Sequence, residues 1–170
     1  MAASTCAAFS QSRATTSRAG DLQIGGGFTS ANSDYLPNRI DGFALYGDFD
    51  FASHLGVEVN FHQASDGTSK VYERTYEVGG RYVRHYGRLA PYAKVLVGRS
   101  TFNYPYNSNN LTYNMLALGG GLDFSVRPQI NVRADIEYQR WSGFKPGTLT
   151  PVFLTIGVAY HFPGGRLSIR

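Results

Sequence analysis

Seven acidic residues and three basic ones fall on one side of an alternating pattern in this 170-residue chain. The acids are Asp48, Asp50, Glu58, Glu77, Asp123, Asp135 and Glu137, and the bases are Arg81, Lys94 and Arg133. Carboxylates in such numbers could hold a metal ion or work as a paired general acid and base. The other outcome is an interior ion-pair lattice, because a buried charge must find a partner or lose its charge. Bases at positions of the same parity favour the lattice, and Asp48, Glu58, Glu77, Arg81, Lys94, Asp123, Arg133, Asp135 and Glu137 are expected to form it. Around a turn at Ser53, antiparallel pairing sets Asp48 opposite Glu58, with Glu77 expected beside Glu58. A further turn near Tyr86 is expected to bring Lys94 level with Glu77. No catalytic residue, metal ligand or cofactor-binding residue is assigned.

Two other chemistries deserve the same scrutiny. The triplets Gly25-Gly26-Gly27 and Gly119-Gly120-Gly121 could cradle phosphate, but that needs a helix starting directly after the loop. Neither triplet is followed by a helical pattern, and glycine in a strand relieves crowding. The four histidines, His54, His62, His85 and His161, are scattered. His62 could meet Glu58 and Ser65 as a base between an acid and a nucleophile, a grouping that also arises by chance. Asn110-Leu111-Thr112 fits a glycosylation sequon, a three-residue pattern too short to carry weight by itself.

The elements that carry these residues are strands. From Thr150 to Phe162, one parity gives Val152, Leu154, Ile156, Val158, Tyr160 and Phe162, and the other gives Thr155, Gly157, Ala159 and His161. One face is apolar and ends in aromatics; the opposite face is small or polar. That is the pattern of a strand with lipid on one side and a narrow polar lumen on the other. Seven more segments alternate in the same way, around Leu22–Thr29, Phe43–Phe51, Leu55–His62, Thr75–Tyr82, Ala90–Phe102, Leu116–Phe124 and Ile130–Gln139. Connections alternate between polar loops and tight turns. Aromatics gather near both ends of the strands, as amphipathic rings do at two membrane interfaces.

Composition agrees. Tyr (12), Phe (11) and Gly (20) are abundant, which favours an all-β chain. No apolar run reaches the roughly 18 residues of a transmembrane helix, a test that strands escape by alternating. A net charge of +4, with arginines spread over tails and turns, lacks the one-sided basic stripe of a nucleic-acid binder. The single cysteine, Cys6, excludes an internal disulfide. Residues 1–20 are rich in Ala, Ser, Thr and Arg and are expected to be a disordered tail; Ala7–Gln11 resembles the end of a signal peptide. Residues 21–162 are expected to be the barrel and 163–170 a short tail.

With these residues in view, the chain resembles the eight-stranded outer-membrane β-barrel family, the OmpA/OmpX-type transmembrane domain. The resemblance covers about Asp21 to Phe162. Its most specific element is the ending Val158-Ala159-Tyr160-His161-Phe162, similar to the aromatic-ended signal by which such barrels are recognised for assembly; here eight further residues follow. The resemblance implies an all-β, antiparallel up-and-down barrel in the outer membrane of a Gram-negative bacterium. Its partners would be the bilayer, lipopolysaccharide and the barrel-assembly machinery, with Tyr160 and Phe162 as the assembly signal and the chain a monomer. Both termini would face the periplasm, with the segments around Asn32, Asp66, Asn109 and Lys145 outside.

The expected function is non-enzymatic: a barrel with a charged, plugged lumen serving envelope structure or surface interaction. One alternative is an outer-membrane lipid-modifying enzyme, but no histidine here lies two residues before a serine, the spacing of the deacylase barrels. Another is a soluble lipocalin-like carrier, which would turn the Glu58, Lys94, Arg133 and Asp135 face outward and the apolar face inward.

Overall fold

The computed structural model describes residues 20–34, 38–66, 71–103, 111–143 and 148–162. Eight strands run in chain order: β1 (Asp21–Asn32), β2 (Ile40–Asp50), β3 (Leu55–Ser65), β4 (Tyr72–Val83), β5 (Leu89–Asn103), β6 (Leu111–Arg127), β7 (Ile130–Ser142) and β8 (Val152–Phe162). Each pairs antiparallel with its sequence neighbours, and β1 closes on β8 from Leu22↔Phe162 to Asn32↔Val152. Closure leaves no strand edge unpaired, which a bilayer demands because lipid offers no hydrogen bonds. Connections at one end span 51–54, 84–88 and 128–129, and at the other 33–39, 66–71, 104–110 and 143–151. We call these the turn end and the loop end. Cys6, Asn109, Asn110, Lys145 and both tails lie outside the described residues.

Alternation decides which face is which. Ile24, Leu45, Val59, Val78, Val95, Leu118, Ile136 and Ile156 all point away from the lumen and are each more than half exposed. Glu58, Lys94, Arg133 and Asp135 point inward and are no more than 7% exposed. The lipocalin-like alternative required the reverse. An apolar band around the whole circumference has only a lipid environment to match it.

The lumen has two layers. Towards the loop end it is mostly apolar: Val71, Leu96, Phe102, Tyr113, Met115 and Trp141 form one buried cluster, and Ala31, Ile40, Ala64 and Phe153 a second, with buried Glu73 beside them accepting from Ser33 at 2.5 Å. Below them, down to the turn end, it is charged. Glycines make room for the large inward side chains: a Cβ at Gly25 would lie 2.6 Å from the Tyr46 ring, and one at Gly121 2.6 Å from the Tyr92 hydroxyl.

Several strands are longer than their apolar pattern. Ser30–Asn32, expected in a loop, belongs to β1, and β6 begins at Leu111. Backbone pairing continues past the point where the outward residues stop being apolar, so alternation no longer marks it.

Candidate functional site

The charged layer is assembled from three cations that fork between strands. Arg133 on β7 stands opposite Asp123 on β6 in the register, and its guanidinium bonds that carboxylate through two nitrogens at 2.7 and 2.8 Å. It also donates across the lumen to Asp48 on β2 at 2.5 Å. Its flat face lies over the Tyr46 ring, 4.2 Å from the centroid, with Tyr92 at 4.8 Å. Arg81 on β4 reaches the same two acids, Asp48 at 2.6 Å and Asp123 at 3.2 Å, and sits over Tyr92 at 4.7 Å. Two arginines thus share two carboxylates and the Tyr92 ring, a use that suits the planar guanidinium and not an ammonium.

Lys94 on β5 serves the next level. Its Nζ lies 3.0 Å from Glu58 Oε1, 3.0 Å from Asp135 Oδ1 and 3.0 Å from Glu137 Oε2. Three ammonium donors meet three acids. Tyr92 completes Asp135 by donating to its other oxygen at 2.5 Å.

Glu77 does not join Lys94. The register pairs Arg81 with Lys94 and Glu77 with Gly98, because the turn is centred beyond Tyr86, where Tyr86 and Leu89 bridge. On its other side Glu77 stands opposite Asn60, and Glu58 is opposite Gly79. The pairing of Asp48 with Glu58 is present. Glu77 is held instead by Thr75 at 2.5 Å, Gln139 at 2.9 Å and His62 at 3.2 Å. Gln139 also donates to Glu137 at 2.6 Å and accepts from the Trp141 indole at 2.8 Å, linking the charged layer to the apolar one. Gln139 is fully buried, so it is not the tolerant rim position that its place near the strand end suggests.

His62 Nδ1 and the carboxylates of Glu77 and Glu137 lie within 4.8 Å of one another, close enough for metal ligands. Gln139 donates to one oxygen of each acid and Lys94 reaches Glu137, while Glu77 Oε2 is buried without a hydrogen-bond partner. A cation there would compete with Lys94 and Gln139 for the same carboxylates. The grouping of His62 with Glu58 and Ser65 does not form, since residues 62 and 65 differ in parity: His62 is buried against Phe153 and Ser65 is exposed. At the turn end His161 bonds Asp21, joining β8 to β1.

Little space remains. A cavity of ≈ 10 Å³ lies among Tyr46, Glu58, Asn60, His62, Lys94 and Arg133, about enough for one water at most. Parity alone placed the nine lattice residues inside. The sequence reading placed Tyr46 and Tyr92 inward without giving them a role, although an inward aromatic amid arginines is a signal for stacking. It did not identify the apolar cap, whose residues lie mostly beyond the segments where alternation is clear. Tyr160 and Phe162 lie outward at the turn end, ring centroids 4.8 Å apart.

A closed ring of eight antiparallel strands, apolar outside and charged inside, defines a membrane-spanning β-barrel. The chain belongs to the outer membrane protein beta-barrel domain family, whose model matches residues 1–162, and its location is the bacterial outer membrane. No curated protein matches it at the sequence level. Among solved structures it is similar to Ail, the attachment invasion locus protein of Yersinia pestis, with a TM-score of 0.59 and 22% identity over 84% of this chain and 99% of that one. Neisserial surface protein A gives 0.62 and 15%, covering 84% and 97%. OprG from Pseudomonas aeruginosa gives 0.60 and 16%, covering 85% and 97%. At these identities the likeness is one of fold.

Proposed function

We propose that this protein is a monomeric, non-enzymatic barrel whose lumen is a plug and whose loop-end surface meets the cell's surroundings. The observation that carries this is the crowding of the lumen's middle, where, among the described residues, a cavity of ≈ 10 Å³ lies between Tyr46, Glu58, Lys94 and Arg133. The residue types able to do chemistry are committed to one another, Lys94 to three acids and His62 to Glu77 and Thr75. The bilayer and lipopolysaccharide surround the apolar band. The outward pair Tyr160 and Phe162 on the last strand serves the barrel-assembly machinery as its recognition signal.

Planar-bilayer recording of the purified barrel tests this reading. The expected trace shows little or no steady conductance. A large, long-lived open channel would overturn it.

A further inference from the structure

The charged layer is short of positive charge on its loop-end side. Its acids, Asp48, Glu58, Glu77, Asp123, Asp135 and Glu137, outnumber its bases, Arg81, Lys94 and Arg133, by two to one. Arg81 and Arg133 serve Asp48, Asp123 and, at longer range, Glu58. Lys94 is divided among Glu58, Asp135 and Glu137. Among the described residues no lysine or arginine pairs with Glu77, whose basic contact is His62 at 3.2 Å. A buried carboxylate takes up a proton or is met by a cation.

His62 on β3, Glu77 on β4 and Glu137 on β7 bring their ligand atoms within 4.8 Å of one another, and none of the three is more than 5% exposed. Zinc bonds of about 2.0–2.2 Å set tetrahedral ligands roughly 3.4 Å apart, so the side chains have to close by about 1 Å. Two oxygens of this neighbourhood are buried and accept no hydrogen bond. One is Glu77 Oε2; the other is Oδ1 of Asn60, which stands opposite Glu77 in the register and lies 3.4 Å from Glu137 through its amide nitrogen. A buried acceptor without a donor is costly, and a metal ion satisfies it as a donor would. The donors already present leave room for one. Gln139 holds a single oxygen of each acid, and Lys94 keeps Glu58 and Asp135 where it yields Glu137. Glu73 Oε2 is also unpartnered, but among the described residues Glu73 belongs to no such group.

We propose that His62, Glu77 and Glu137 bind one divalent transition-metal ion of the zinc class, with Asn60 Oδ1 as a neutral fourth oxygen. An imidazole among oxygen donors suits Zn²⁺ and its first-row neighbours, whereas Ca²⁺ takes about six to eight oxygens. The ion supplies the positive charge that Glu77 lacks and ties β3, β4 and β7 together beneath the apolar clusters. The site does not depend on whether the lumen conducts.

The test uses the full chain carrying Cys6→Ser, so that no thiol competes for metal. It is refolded in detergent with Zn²⁺ present, because the ligands are closed to solvent once the barrel has formed. After gel filtration, metal per protein is measured by plasma mass spectrometry. The parent chain and Glu73→Gln are expected to retain about one zinc per barrel, and Glu77→Gln and His62→Gln at least about tenfold less. Zinc should also raise the parent's urea midpoint relative to refolding with EDTA, since an ion that binds the folded state stabilises it. Heat-modifiable gel mobility shows which variants are folded, and the midpoint shift is read on the parent chain in any case. A parent chain that retains no zinc, or whose midpoint does not move, overturns the site. So does equal retention by Glu77→Gln or His62→Gln, which would place the metal elsewhere on the barrel. Equal retention of Ca²⁺ offered in place of Zn²⁺ overturns the assigned class of ion.

Discussion

Lys94 is the residue on which the charged layer turns, because its ammonium meets Glu58, Asp135 and Glu137 at one level, while the two arginines reach only Glu58 of the three, at 3.8 and 3.7 Å. Removing it leaves buried Asp135 and Glu137 without their cation and weakens the neutralisation of Glu58. Lys94→Ala is expected to destabilise the barrel by about 3–5 kcal/mol in urea titrations of vesicle-folded protein. Adding Glu58→Gln should recover part of that loss. Adding Glu77→Gln should recover none, since Glu77 is held by Thr75, Gln139 and His62. A double variant with Glu77→Gln that recovers stability would contradict the register. Which charged residues face inward was legible in the sequence, because a side chain's parity fixes the face it occupies. Its partners were not. Glu77 meets Gly98 and not Lys94, a register four residues away from the expected one, and an even shift keeps every residue inside or outside while changing every partner. At the 51–54 turn the centre coincides, and Asp48 meets Glu58 as its spacing suggests.

Strands are felt by lipid according to depth. Ile136 on β7 and Val158 on β8 lie on the outward face, 53% and 55% exposed, while Val126 on β6 shares that face next to the turn end. Ile136→Arg and Val158→Arg should each cost about 2–4 kcal/mol, and Val126→Arg about 0–1 kcal/mol, in equilibrium folding into vesicles. Equal costs at all three would mean that the band is not where the strands place it. All eight strands were visible as alternation because lipid and lumen impose opposite demands on successive residues. Their loop-end extensions were not. Leu111–Met115 pairs with β5 through Phe102↔Leu111 and Gly98↔Met115, yet its outward residues are polar and the periodic signal fades.

For the whole molecule, an even strand count puts β1's start and β8's end together at the turn end. In the outer membrane this predicts that the turn end faces the periplasm and the loop end the outside. In a Cys6→Ser background, Ser65→Cys should react with a membrane-impermeant maleimide on intact cells and Ser53→Cys should not. Preferential labelling at position 53 would invert the orientation.

The apolar layer gives the lumen a direction. At the loop end Phe102, Trp141 and Phe153 are sealed from solvent, whereas at the turn end Asp21, Asp50, Asn131 and His161 remain partly open. On the proposed plugged reading the barrel is a well whose mouth is the turn end. Water and small ions would approach the arginine–carboxylate layer from that end and meet closely packed side chains at the other. With the turn end towards the periplasm, the charges at the centre of this protein sample the composition of the periplasm and are insulated from the medium outside the cell.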